Sequence, residues 1–150
     1  MEAIVSAIAF FALCALLFAA SVTDIRERKI PNWLVAAIAA LWLVWRIVQR
    51  VIGTVPMTHF FTDLMAAFVF ALALLALTAI AERITGKFMM GGGDIKLLAA
   101  VSLFLGFNGM LIALFAACIV SLAYAAAHLK RGIPFAPCIM GGTLLASLLV

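Results

Sequence analysis

The sequence predicts an all-α, polytopic membrane protein: one domain, residues 1–150, with about six transmembrane helices and both termini outside. Three observations carry this reading. Hydrophobic residues make up 69% of the chain and charged residues 11%, against roughly 45–50% and about 25% in soluble domains. A small soluble domain has too large a surface-to-volume ratio to hide that much apolar side chain, so lipid is the solvent for most of it. Second, the charges fall in short segments between long apolar runs. Third, the basic residues are shared unequally between alternate segments. The net charge of +4 therefore reflects membrane orientation rather than a nucleic-acid-binding stripe. The expected surroundings are a lipid bilayer, with no nucleic-acid partner.

The first span covers about residues 3–23. A secretory signal peptide would carry a basic n-region and an apolar core of roughly 7–15 residues. Here Glu2 precedes an uncharged run that is about 31 Å long as a helix, close to the thickness of the hydrocarbon core. A polar link follows, from Asp24 to Lys29. Pro31 suits the first turn of a second helix, where its missing N–H costs nothing. That helix runs to about residue 52, with Trp42, Trp45, Arg46 and Arg50 at its interfacial end. Residues 53–61, with Pro56 and His59, read as a loop, and the third span as about 63–81, closed by Glu82 and Arg83. Asp63 fits an N-cap or first-turn position of that span.

A polar segment, residues 85–96, carries three consecutive glycines. The uncharged stretch that follows, 97–127, is too long for one span of about 20 residues. Gly106-Phe107-Asn108-Gly109 in its middle is a turn signal, so two helices joined by a tight turn are expected. After a basic link, 128–131, the last apolar stretch begins near Pro134. Cys14, Cys118 and Cys138 are isolated in apolar surroundings and lack the paired spacing of a metal or redox motif. They read as small buried apolar residues, and no metal or cofactor is expected.

With the Asp24 link on the cytoplasmic side, six spans place Arg26, Arg28, Lys29, Arg83, Lys87, Lys96, Lys130 and Arg131 inside and only Arg46 and Arg50 outside. This is a positive-inside bias over short loops. The same arrangement puts Asp24 and Asp94 on one side, each where an apolar helix meets a cytoplasmic link. Charged groups at membrane depth are costly, and those that persist are often functional. Two carboxylates at matching depth can share a proton, because adjacent like charges resist joint ionisation, and such a pair can activate water and protonate a leaving amine. The alternative is two solvated juxtamembrane charges. Gly91-Gly92-Gly93 precedes Asp94; glycine is permissive in backbone and resists helix formation. The segment can leave N–H and C=O groups open for an extended substrate to pair by strand addition, or it can be a flexible turn.

Met90-Gly91-Gly92-Gly93-Asp94-Ile95-Lys96-Leu97 resembles the GxGD signature of the membrane aspartyl proteases called prepilin peptidases. In that family a second catalytic aspartate lies ahead of an Ile-Pro-Asn element, and here Asp24 precedes Ile30-Pro31-Asn32. A Pro-Phe-Gly-Pro element is common near the family's C-terminus; Pro134-Phe135-Ala136-Pro137 is similar, with Ala136 in place of the glycine. The resemblance covers essentially the whole chain. It implies Asp24 and Asp94 as catalytic residues; Gly91, Gly92 and Gly93 are expected to bind substrate through their backbone, and no metal or cofactor is expected. The implied partner is a prepilin-like precursor with a basic leader and a hydrophobic helix, cut at the cytoplasmic face of a prokaryotic inner membrane. The larger members carry an added region with paired cysteines and methylate the new N-terminus. No such pair stands in this sequence, which is more similar to the short Flp/Tad-type forms, so no methyltransferase activity is expected.

Helix dipoles favour negative charge on Asp94, which opens a helix, over Asp24, which closes one. Asp94 is therefore expected as the carboxylate that takes a proton from water and Asp24 as the acid, although the pair can titrate as a unit. Lys96, two residues from Asp94, does not share its helix face and is expected to snorkel to headgroups. Glu27 and Glu82 read as solvated loop residues, with contact to the basic leader as the alternative, and His59 lies on the opposite side. The competing function is a small proton- or cation-coupled transporter using the same two aspartates.

Overall fold

The computed structural model describes residues 2–27, 29–53, 56–86, 90–127 and 135–149. Its elements are α1 (Glu2–Glu27), α2 (Asn32–Ile52), α3 (Met57–Thr85), α4 (Gly92–Ala127) and α5 (Ala136–Leu149). The first four are long and apolar enough to cross a membrane, and α5 is a shorter apolar helix. The chain is thus a helical, polytopic membrane protein. Large apolar side chains such as Phe11, Phe18, Ile84, Phe115 and Leu148 are exposed on the bundle surface, as lipid allows and water would not.

α4 is interrupted at Gly106, whose φ of 64° and ψ of −175° leave the helical region; such a positive φ is open to glycine at no steric cost. Asp94 and Ser121 nevertheless line one cavity, although a straight helix would hold them about 40 Å apart. The chain therefore doubles back at Gly106, where the sequence signals a turn, and the second half of α4 returns alongside the first.

α5 lies against that returning half. A Cβ on Gly142 would stand 2.2 Å from the Ala113 carbonyl oxygen and 3.1 Å from the Ala117 nitrogen, so only glycine permits this backbone approach. Gly142 and Ala146 on α5, and Ala113 and Ala117 on α4, are all buried. Small residues four apart are how membrane helices gain van der Waals contact where lipid removes the hydrophobic drive. Between the helices Leu13 and Leu17 of α1, Leu34 and Ile38 of α2, Leu97, Leu98 and Val101 of α4, and Ile139 of α5 form a fully buried core.

Several boundaries differ from expectation. α1 continues through Asp24 to Glu27, so Asp24 sits in a last helical turn rather than in the link. Gly53, in the left-handed region, closes α2, and Pro56 caps α3. The loop expected over 53–61 is therefore shorter, and His59 is helical. Asp63 is neither an N-cap nor a first-turn residue. It lies in the second turn of α3, buried, and accepts from Arg46 Nη2 of α2. A carboxylate inside an apolar bundle needs a counter-charge, and Arg46 supplies it. Arg46 Nη1 also donates to Gln49 Oε1 at 2.9 Å, and its guanidinium lies 4.6 Å from the Trp45 ring. Trp42 stacks on Phe60 at 5.0 Å and Trp45 on Phe104 at 5.5 Å, so α2, α3 and α4 are joined at this end by aromatic and ionic contacts. The basic link 128–131 and Pro134 lie outside the described residues.

Candidate active site

The opposite end of the bundle brings together residues far apart in sequence. Asp24, in the last turn of α1, is only 8% exposed. Its Oδ2 accepts the backbone N–H of Ala136, the first residue of α5, at 3.0 Å. A carboxylate at a helix C-terminus faces the carbonyl end of the dipole; the α5 backbone supplies the donor that α1 cannot.

Asp94 stands at the third position of α4, with Gly91 as the residue that caps it. The Asp94 and Ile95 N–H groups donate to the Gly91 carbonyl at 3.0 and 3.4 Å, and the Asp94 carboxylate accepts from the Gly91 backbone. This is the reach-back of a capping box, made by an aspartate at the N-terminus of a helix. A Cβ at position 91 would stand 3.3 Å from Asp94 Oδ2, so a side chain there would crowd the carboxylate.

Gly92 and Gly93 are helical, not the open segment expected for strand addition, and the Gly91 carbonyl is already occupied by α4. Helix formation wins because the first turn gains those bonds and the N-terminal position of Asp94. What remains at Gly92 and Gly93 are first-turn N–H groups without intrahelical acceptors, which suit a carbonyl or anionic oxygen.

Asp24, Lys29, Ile30, Gly91, Gly92, Gly93 and Asp94 line one cleft of about 330 Å³, and the two carboxylates are near enough to interact electrostatically. Lys29 and Ile30, at the start of the link to α2, close one wall. A Cβ on Gly93 would stand 3.3 Å from Ile30 Cβ, and Lys96 Nζ donates to Asn32 Oδ1 at 3.3 Å. Lys96 therefore ties α4 to the start of α2 instead of only reaching for headgroups, because Asn32 offers an acceptor within its span. Beyond Asp94 lies a second cavity of about 620 Å³, lined by Leu77, Thr78, Ala81, Met90, Gly91, Asp94, Ser121 and Phe135.

The sequence motifs named Phe135 and Ala136 without a role; one lines the second cavity and the other orients Asp24. A backbone donor has no side-chain signal, and only the prolines around it hinted at a fixed backbone. Glu27 is exposed, and His59 lies in the first turn of α3, at the Arg46–Asp63 end. Among the described residues no group of three His, Cys, Asp or Glu is placed to hold a metal ion.

The family model of the type IV leader peptidase family matches residues 11–126, a stretch containing Asp24, the Ile30-Pro31-Asn32 link and the Gly91-Gly92-Gly93-Asp94 turn. The chain belongs to this leader peptidase family. It is also 33% identical over 141 residues to the prepilin leader peptidase/N-methyltransferase of Bacillus subtilis (strain 168), covering 89% of this chain and 52% of that protein. The chain thus spans about half the length of the curated relative it matches. No solved structure matches it. In this leader peptidase family member, two carboxylates facing one cleft can serve as proton acceptor and proton donor in the same reaction, beside helix N–H groups suited to an oxygen that gains charge.

Proposed function

We propose that the chain is a membrane aspartyl endopeptidase that removes the leader from prepilin-like precursors at the cytoplasmic face of a prokaryotic inner membrane. The observation that carries this reading is the shared cleft of Asp24, Asp94 and Gly91–Gly93 in a chain of the leader peptidase family. Asp94, at a helix N-terminus, takes the proton of the attacking water while Asp24 gives its proton to the carbonyl oxygen, forming a gem-diol. As the C–N bond breaks, Asp24 recovers a proton from the gem-diol hydroxyl and Asp94 passes the water-derived proton to the leaving amine. No covalent intermediate is formed. The N–H groups of Gly92 and Gly93 hold the substrate backbone. Site-resolved titration in which Asp24 ionises below Asp94 would reverse the two roles.

With the two halves of α4 read as separate spans and the shorter α5 as the last, the proposed topology is six spans with both termini outside, an arrangement favoured by the distribution of basic residues. The substrate is a precursor with a basic leader and a hydrophobic helix, of the Flp/Tad type. The activity proposed for this chain is that of the peptidase.

The test is cleavage of a co-expressed Flp-type precursor by the unsubstituted chain and by Asp24→Asn and Asp94→Asn. Asparagine keeps the shape of aspartate but cannot exchange its proton. Trimming by the unsubstituted chain and failure of both variants at normal membrane levels is the expected result. Residual cutting by one variant would remove that aspartate from the mechanism. Ion flux in vesicles without cleavage would favour the transporter.

A further inference from the structure

The 330 Å³ cleft and the 620 Å³ cavity have two lining residues in common, Gly91 and Asp94. Their characters differ. The cleft holds two carboxylates, one lysine and glycine backbone. The cavity beyond Asp94 is walled mainly by Leu77 and Ala81 of α3, Met90, and Phe135 ahead of α5. Ala81 lies one turn from both Leu77 and Thr78 on the cavity side of α3, inside its candidate membrane-spanning stretch.

We infer that the cavity is the docking site for the hydrophobic segment following the scissile bond, with the leader on the other side of Asp94; this rests on the peptidase reading above. Three observations fix the direction. A bond at the junction of the two spaces lies beside Asp94, where cleavage chemistry needs it. The cleft presents the Asp94 carboxylate, which among the described residues has no ion-pair partner, and so suits a basic segment. The cavity shares Gly91 and Asp94 with it and offers apolar walls on helices long and apolar enough to span a membrane, which suit the first residues of a hydrophobic helix. A volume of about 620 Å³ falls in the range of roughly 300–1,000 Å³ that encloses a small-molecule-sized ligand. The cavity therefore takes the first few residues after the bond, and the rest of the helix lies in lipid along α3. Residues such as Ala81 then set which side chains are accepted immediately after the cut.

The experiment uses the full chain in lipid nanodiscs with its native cysteines replaced by alanine. Ala81→Cys is combined with Asp94→Asn, so that bound precursor stays intact. Precursors carry one cysteine, either two residues after the bond or two residues before it, and a short bismaleimide joins the pair. The expected result is cross-linking to the cysteine after the bond, at least five-fold over the one before it. A second arm measures kcat/KM for precursors with leucine or alanine after the bond; Ala81→Trp should lower the leucine-to-alanine ratio at least ten-fold. Reversed or equal cross-linking, or an unchanged ratio, in a chain that still cuts its precursor overturns the docking assignment and leaves the peptidase reading standing. If the unsubstituted chain cuts no precursor, the peptidase reading fails and the docking assignment falls with it.

Discussion

At one end of the bundle Asp63 is buried and answered by Arg46, whose guanidinium also bonds Gln49 and lies over Trp45. At the other end Asp24 and Asp94 meet backbone donors instead, the N–H of Ala136 and the Gly91 backbone. Lys29 lines that cleft, yet among the described residues neither carboxylate forms an ion pair with it. An ion pair fixes a charge, and taking away one partner leaves the other uncompensated in a poor solvent. A backbone N–H fixes the position of an oxygen without neutralising it, so protons stay free to move. The same side chain is thus a structural clamp where a cation answers it and a candidate for acid–base chemistry where only the backbone does.

Neutralising one carboxylate at each end puts the comparison at most risk. Asp24→Asn and Asp94→Asn should each lower cleavage by about 10²–10⁴-fold, the usual range for general acid–base groups, while membrane levels and thermal stability stay near those of the unsubstituted chain. If both variants instead lose stability and keep the activity of the folded fraction, the two ends differ in nothing but location.

Asp63→Ala should do the reverse. Breaking a buried pair by removing one partner costs about 3–5 kcal/mol. The side chains here are 15% and 12% exposed, so the lower part of that range applies, about 3 kcal/mol, measured as a lower unfolding midpoint in detergent. The kcat of the protein that remains folded should hold within about two-fold. Arg46→Met together with Asp63→Leu should recover much of the loss, since replacing a whole buried pair by apolar groups is often neutral.

These two ends were unequally legible in the sequence. Asp24 and Asp94 could be singled out because each sits where an apolar run meets charge, beside short motifs that resemble a known family. The reversal at Gly106 was also readable, from a glycine–asparagine–glycine cluster inside a run too long for one span. The Arg46–Asp63 clamp was not. The two residues stand on different helices, and nothing local to Asp63 shows whether its carboxylate caps its own helix or reaches across. Its position depended on where α3 begins, and Pro56 moved that start earlier than charge alone suggested. The glycine run misled for a related reason: low helix propensity was outweighed by hydrogen bonds to the Gly91 carbonyl and by Asp94 at a helix N-terminus. The role of Ala136 had no side-chain signal at all.

That last contact gives a subtler test of the working end. Ala136 is the first residue of α5, a position that tolerates proline well because its N–H has no helical acceptor. Ala136→Pro therefore removes the donor to Asp24 with little cost to the helix. With Asp24 as the protonated partner this is an ordinary hydrogen bond, which contributes about 0.5–1.5 kcal/mol, so kcat should fall roughly two- to ten-fold with KM little changed. Ala136→Gly keeps the N–H and should retain most of the activity. Equal losses in the two variants would mean that the Ala136 side chain, and not its donor, matters to Asp24.

The smallest expected effect concerns the wall between Asp24 and Asp94. The Lys96–Asn32 hydrogen bond is exposed and, at 3.3 Å, long. Asn32→Ala should change stability by less than about 0.5 kcal/mol, as surface substitutions do, and leave cleavage within about two-fold. Gly93 against Ile30 is then sufficient to hold the link on the first turn of α4. A ten-fold loss of kcat at unchanged stability would show the opposite. The link between α1 and α2 would then be part of what positions Asp94, and the working end would depend on a side-chain latch as the clamped end does.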